Sequence, residues 1–145
     1  LILPAAPPAP AEAPAAPIDI ASGRFRGKML LLIDDDEAVR LVLSEQLRDL
    51  DMVVEAYESG ARAVDAVRAG GGGYDYVLSD FAMPGINGLE TLRELGALLP
   101  NAGRALMTGF ADEDVLAEAA REVSVIKKPV NLDQVAAFMA RYCGS

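Results

Sequence analysis

The chain has 145 residues, 52% of them apolar, which is enough for one domain with a real core and a leftover segment. Thirteen basic against 22 acidic residues give a formal charge of −9, a field that disfavours nucleic acid and suits a hard cation such as magnesium. Histidine is absent, which excludes Ser-His-Asp and Cys-His catalysis, imidazole metal ligation and a phosphohistidine carried by this chain.

A single cysteine, Cys143, cannot form an internal disulfide, so a reducing, cytoplasmic setting is expected. No apolar run is long enough for a membrane span, and no basic-then-apolar leader opens the chain. The first residue is not Met, and the sequence reads as a piece of a longer protein.

Residues 1–17 hold six of the nine prolines, interleaved mostly with alanine. Repeated proline excludes helix and favours extended, solvated backbone, so a linker is expected. Leu1-Ile2-Leu3-Pro4 looks like the tail of a strand from a preceding domain, and residues 18–28 are transitional. Arg24, Arg26 and Lys28 form a small solvated basic patch. The expected division is therefore 1–28 as linker and remnant, and 29–145 as the folded domain.

From Met29 the pattern changes. Met29-Leu30-Leu31-Leu32-Ile33 is an apolar run typical of a strand buried on both faces. Asp34, Asp35 and Asp36 end it, and Asp36-Glu37 open a helix whose positive N-terminus favours acids. Val39, Leu43, Leu47 and Leu50 make the buried stripe of that helix. Leu41 and Val42 fall off the stripe, as spare surface apolars or as part of a docking face.

Residues 52–56 read as a second strand, and Ser59 as the cap of a helix to Arg68 with Ala63, Val64 and Val67 inward. Gly70–Gly73 stop that helix. Residues 75–80 form a third strand, which delivers Asp80 to its tip before the loop of Pro84, Gly85, Asn87 and Gly88. A helix from Gly88 to Leu99 follows, with Leu89, Leu92, Leu95 and Leu99 inward, then a strand over 104–107 ended by Thr108-Gly109. An alanine-rich helix over 112–121, a strand over 124–127 closed by Lys128-Pro129, and a last helix capped by Asn131 complete the chain. Leu132, Val135, Phe138 and Met139 face inward on that helix.

Five βα units with short connections predict an α/β, doubly wound, five-stranded parallel sheet with helices on both faces. All strand C-termini then point one way, so Asp34, Asp35, Asp80, Thr108 and Lys128 should share one edge, where ligands of such sheets bind. Three gathered carboxylates repel one another unless a cation joins them, and an all-oxygen set suits Mg²⁺. An ammonium and a hydroxyl beside an exposed carboxylate can stabilise phosphoryl transfer onto it.

Residues 29 to about 142 resemble a two-component response-regulator receiver domain. The matching pieces are Ile33-Asp34-Asp35-Asp36-Glu37, the loop from Asp80 to Gly88, Met107-Thr108-Gly109 and Lys128-Pro129. The resemblance implies the flavodoxin-like strand order 2-1-3-4-5. It implies that Asp80 accepts phosphate from a partner's phosphohistidine, on a histidine kinase or histidine phosphotransfer domain. It also implies that Asp35, Asp80 and the Ala82 carbonyl bind Mg²⁺, with Asp34 acting largely through water. Lys128, which directly precedes Pro129 in a bond often cis in the family, and Thr108 would hold the phosphoryl oxygens. A monomer without nucleic-acid or membrane contacts is expected.

Two departures stand out. Val125 occupies the place of a common Tyr or Phe that rearranges on phosphorylation, which points to a phosphate carrier rather than a conformational output device. Asn87 replaces a commoner Asp. Ala82 and Phe110, two residues beyond Asp80 and Thr108, cannot position an attacking water, so slow self-dephosphorylation is expected. The opening Leu1-Ile2-Leu3-Pro4 resembles the end of a histidine-kinase ATP-binding domain, which places the receiver in a hybrid sensor kinase. Among competing readings, a haloacid-dehalogenase-like phosphatase would want Asp-x-Asp-x-Thr/Val, whereas the string from Asp34 reaches Ala38. A non-phosphorylated interaction module would have no need of Asp80, Thr108 and Lys128, and a flavodoxin-like cofactor binder would want a hydroxyl-rich loop where this chain is acidic.

Overall fold

A computed structural model describes residues 23–70, 72–83, 85–109 and 113–142. The expected linker over 1–17, Pro84, Phe110, Asp112 and Cys143 lie outside the described residues. The elements alternate as β1 (Met29–Ile33), α1 (Glu37–Arg48), β2 (Val53–Tyr57), α2 (Gly60–Arg68), β3 (Tyr76–Asp80), α3 (Gly88–Leu98), β4 (Gly103–Thr108), α4 (Glu113–Ala120), β5 (Ser124–Lys127) and α5 (Leu132–Ala140). The five strands form one sheet in the order β2-β1-β3-β4-β5, every pairing parallel.

Alternation along the strands divides the core in two. Leu30, Leu32, Tyr76, Leu78, Ala105 and Met107 face α1 and α5, where Leu43, Leu47, Val135 and Phe138 cover them. Leu31, Ile33, Val77 and Leu106 face the opposite layer, built from Val64 and Val67 of α2, Leu92 and Leu95 of α3, and Ala119 of α4. Phe25, before the first strand, is buried in the α1/α5 layer.

Local chemistry sets the helix starts. Asp36 caps α1 by accepting from the Ala38 and Val39 amides, and Ser59 caps α2 by accepting from the Arg62 amide. Asn87 and Asn131 form reciprocal capping boxes with Glu90 and Gln134. Asn87 in place of Asp therefore keeps the cap that α3 requires.

Several boundaries differ from the sequence reading: β3 opens at Tyr76 rather than residue 75, α3 ends at Leu98 with Leu99 as its C-cap, and α4 ends at Ala120. β2 runs one residue later than 52–56, because Tyr57 pairs with Ile33. β4 gains a residue at each end beyond 104–107: Gly103 pairs with Tyr76, and Thr108 with Lys127. α1 ends at Arg48, capped by Asp49, and Asp51 turns the chain with φ 63°. Leu50 thus lies beyond the helix, although it still packs against the α1/α5 layer.

Candidate functional site

The parallel register carries the ends of β1, β3, β4 and β5 to one edge of the sheet. There, carboxylate oxygens of Asp34, Asp35 and Asp80 lie within 4.8 Å of one another. Asp34 and Asp80 are buried, and Asp35 is exposed. The Lys128 ammonium reaches in from the end of β5, 3.0 Å from Asp80 Oδ1 and 3.7 Å from Asp34 Oδ2. Thr108 is buried at the tip of β4, and its carbonyl accepts from the Lys128 amide at 2.9 Å. Ala82 lies exposed, two residues past the end of β3. The Lys128-Pro129 bond is cis.

Four backbone-level contacts shape this cup. Asp34 donates its amide to the Tyr57 carbonyl at 3.1 Å, and Asp34 Oδ1 accepts from the Asp36 amide at 2.8 Å. Ser79 Oγ donates to the Asp80 carbonyl at 3.0 Å, and the Phe81 amide donates to the Met107 carbonyl at 2.8 Å. Gly88 opens α3 directly against Asp80: a β-carbon at residue 88 would lie 2.0 Å from the Asp80 carbonyl oxygen. Only a residue without a side chain lets the helix approach the acceptor strand this closely.

Gly109 follows Thr108 at the end of β4, where the missing side chain by itself would leave open space. The Lys128 stem occupies that side instead: a β-carbon on Gly109 would lie 3.3 Å from Lys128 Cβ and 3.4 Å from Cδ. The glycine gives the lysine room to pass over the end of β4 and reach Asp80.

The electrostatics are those of a negative cup held by one cation. Burial raises the Asp34 pKa above its ordinary value; the Asp36 amide opposes this, the Asp80 charge adds to it, Lys128 opposes it and Asp35 adds to it. Burial alone would lower the Lys128 pKa. The hydrogen bond with Asp80 and the charges of Asp34, Asp80 and Asp35 outweigh burial, and the net shift is upward.

The residues fit a small divalent cation. The donors are all oxygen, as Mg²⁺ requires. Asp34 Oδ2 is fully buried and accepts no hydrogen bond among the described residues, its nearest cation being Lys128 at 3.7 Å. A buried anionic oxygen left in this state is costly, and a cation in the cup would relieve it.

The structure brings together Asp34, Asp35, Asp80, Thr108 and Lys128 as expected from the βα pattern. Sequence reasoning missed Ser79 and Arg40. Ser79 is fully buried, and its signal was a hydroxyl inside an otherwise apolar run. Arg40 Nη1 donates to the Asp34 carbonyl at 2.6 Å, a contact with no sequence signal beyond a cation on the first turns of an acid-led helix.

Comparison with known proteins agrees with this arrangement. The pattern of the Response regulator receiver domain family matches residues 30–140. The DNA-binding transcriptional regulator NtrC of Escherichia coli is 29% identical over 112 residues, which cover 76% of this chain and 24% of NtrC. The sensor kinase CckA of Brucella abortus is 31% identical over 131 residues, 88% of this chain and 14% of CckA. The chain thus spans a quarter or less of the length of these relatives. The response regulator TrrA of Thermotoga maritima, solved in complex with Mg²⁺-BeF, superposes with a TM-score of 0.67 at 28% identity, covering 79% of this chain and 98% of TrrA. With the family pattern spanning the sheet from β1 into α5, and the strand order and acidic edge in place, this chain belongs to the response regulator receiver domain family.

Proposed function

We propose that this chain is the phosphoacceptor of a two-component phosphorelay and that Asp80 receives the phosphoryl group from a partner's phosphohistidine. The observation that carries this reading is the placement of Asp80 at the strand tip, with Lys128 Nζ 3.0 Å away and two further carboxylates beside it. A carboxylate oxygen of Asp80 forms the new P–O bond as the P–N bond of the donor breaks, and the imidazole nitrogen leaves with the electron pair. Lys128 and Thr108 stabilise the oxygens of the transferring group. Asp34, Asp35, Asp80 and the Ala82 carbonyl would hold Mg²⁺, which supplies charge neutralisation for the phosphoryl oxygens.

Leu41 and Val42 are 58% and 55% exposed on α1, the helix that starts at the acidic loop. We assign them to the face that meets the histidine-bearing partner. Val125 is half-buried, with no ring to rearrange, and Ala82 has no group to orient water. Both support a carrier that keeps its phosphate. Among the described residues no helix is long and apolar enough to cross a membrane. We read the domain as a cytoplasmic monomer, and the net charge of −9 disfavours nucleic acid as its partner.

The wider context is read as a hybrid sensor kinase, with residues 1–28 as linker and 29–145 as the receiver; the linker's last residues are anchored to the receiver by Phe25, which is buried in the α1/α5 layer. The similarity to CckA supports it: it covers 88% of the chain, more than residues 30–140, and so reaches into the segment before residue 30.

Mixing the chain with a ³²P-labelled histidine-phosphorylated donor protein tests the acceptor role. One-for-one movement of label onto this chain, in a hydroxylamine-sensitive form, is expected. Repeated turnover of a phosphate ester without a labelled protein would favour a phosphatase instead.

A further inference from the structure

The three aspartates after β1 are not held equally. Asp36 is fixed as the cap of α1, its side chain accepting from the Ala38 and Val39 amides. Asp34 is fixed by the Tyr57 carbonyl on its amide and by the Asp36 amide on its carboxylate. Asp35 is exposed, and among the described residues no hydrogen bond holds its carboxylate. The direction of that carboxylate is therefore set by the backbone that carries it, above all by the peptide between Asp34 and Asp35.

Arg40 fixes that peptide. Its Nη1 donates to the Asp34 carbonyl at 2.6 Å, a short contact from a charged donor, while its own amide donates to the Asp36 carbonyl at 3.1 Å. One residue thus ties the acidic loop to α1 from both ends, by side chain at Asp34 and by main chain at Asp36. The Arg40 side chain is half-buried, which limits its freedom to leave.

We propose that Arg40 is a positioning residue for the divalent cation: by pinning the Asp34 carbonyl it aims the Asp35 carboxylate into the cup. This inference rests on the reading of Asp34, Asp35 and Asp80 as a cation site. Arg40 touches no reacting atom. Groups of this kind, which orient ligands from behind, typically change metal affinity by about 10- to 100-fold when removed.

The test is calorimetric titration of MgCl₂ into the metal-free chain, with Arg40→Met, Arg40→Lys and Asp35→Asn beside wild type. Methionine keeps the apolar stem and removes the donor; lysine restores a cationic donor with shorter reach. Arg40→Met is expected to bind Mg²⁺ about tenfold more weakly, with its metal-free melting temperature close to wild type. Arg40→Lys is expected to fall between the two. A Met variant within about twofold of wild type, a Lys variant no tighter than Met, or a loss of affinity that comes only with a collapse of metal-free stability would each overturn the assignment. Binding by Asp35→Asn that equals wild type would instead sink the cation-site reading, and the role of Arg40 with it.

Discussion

The Lys128 ammonium lies 3.0 Å from Oδ1 of Asp80, close enough to pair with the carboxylate before any phosphate arrives. Once a phosphoryl group occupies that carboxylate, the same ammonium can turn to its oxygens without moving far. Replacement by Met keeps the stem that crosses Gly109 and removes the charge. Lys128→Met is expected to slow phosphorylation by a small phosphodonor by about 10²- to 10³-fold, the range for loss of one preorganised charge-stabilising donor. Its Mg²⁺ affinity should not fall, because the competing cation is gone. Rates by intact mass at saturating Mg²⁺ and a magnesium titration check both points.

Asp34 predicts a pH dependence of stability. Its pKa is raised in the folded chain, mainly by burial, so the folded state binds this proton more tightly than the unfolded chain does. The contribution therefore favours folding below the ordinary aspartate value and is lost as pH rises through the raised value. At neutral pH the buried charge is a liability that Asn removes. Metal-free Asp34→Asn is expected to melt above metal-free wild type at neutral pH, with the gap closing as pH falls toward the ordinary aspartate value. Added Mg²⁺ should raise the wild-type melting temperature more than that of the variant, since ligand binding to the native state stabilises it by about 2.7 kcal/mol at a hundredfold excess over Kd. Differential scanning calorimetry across this range, with and without MgCl₂, measures it.

Gly88 couples the fold to the site. A β-carbon there would lie 2.0 Å from the Asp80 carbonyl oxygen, 2.7 Å from its carbonyl carbon and 2.8 Å from Leu106 Cδ1. Backbone cannot yield as a side-chain tip can. Gly88→Ala is expected to cost about 3 kcal/mol, the upper part of the overpacking range, and to impair phosphorylation through displacement of Asp80. Gly72→Ala, with nothing within 4 Å of its β-carbon, should change neither. Urea denaturation and phosphodonor assays on the pair decide it.

These cases show what was legible in the chain. The apolar runs and helical stripes placed all ten elements, because burial on both faces of a parallel sheet leaves a strong pattern. The shared edge followed from the βα alternation, so Asp34, Asp80, Thr108 and Lys128 could be brought together before any coordinates. Tertiary pairing was less visible: Tyr57 joins β2 because Ile33 lies opposite it, and no local propensity announces that. Side-chain contacts to backbone were least visible. Arg40 on the Asp34 carbonyl, Ser79 on the Asp80 carbonyl and the Lys128 stem over Gly109 have no periodicity to read.

Leu41 and Val42, which we assign to the face that meets the partner, allow recognition to be tested apart from chemistry. Both are exposed on α1 and clear of the core, so Leu41→Asp should fold normally. Phosphorylation by a small phosphodonor is expected to be unchanged. The KM for a histidine-phosphorylated protein donor should rise about tenfold, the effect of losing one central apolar contact in an interface. Equal losses with both donors would show that the side chain acts on the site rather than on docking.

The central claim is that widely separated strand ends assemble one phosphate-accepting cup on Asp80. Incubation with acetyl phosphate and Mg²⁺, followed by intact mass spectrometry, tests it most directly. Wild type is expected to gain the mass of a single phosphoryl group, a gain that requires Mg²⁺ and is prevented by chelator added beforehand, while Asp80→Asn gains none. A wild-type chain that stays unmodified, or an Asn variant that is modified as fully, would contradict the account.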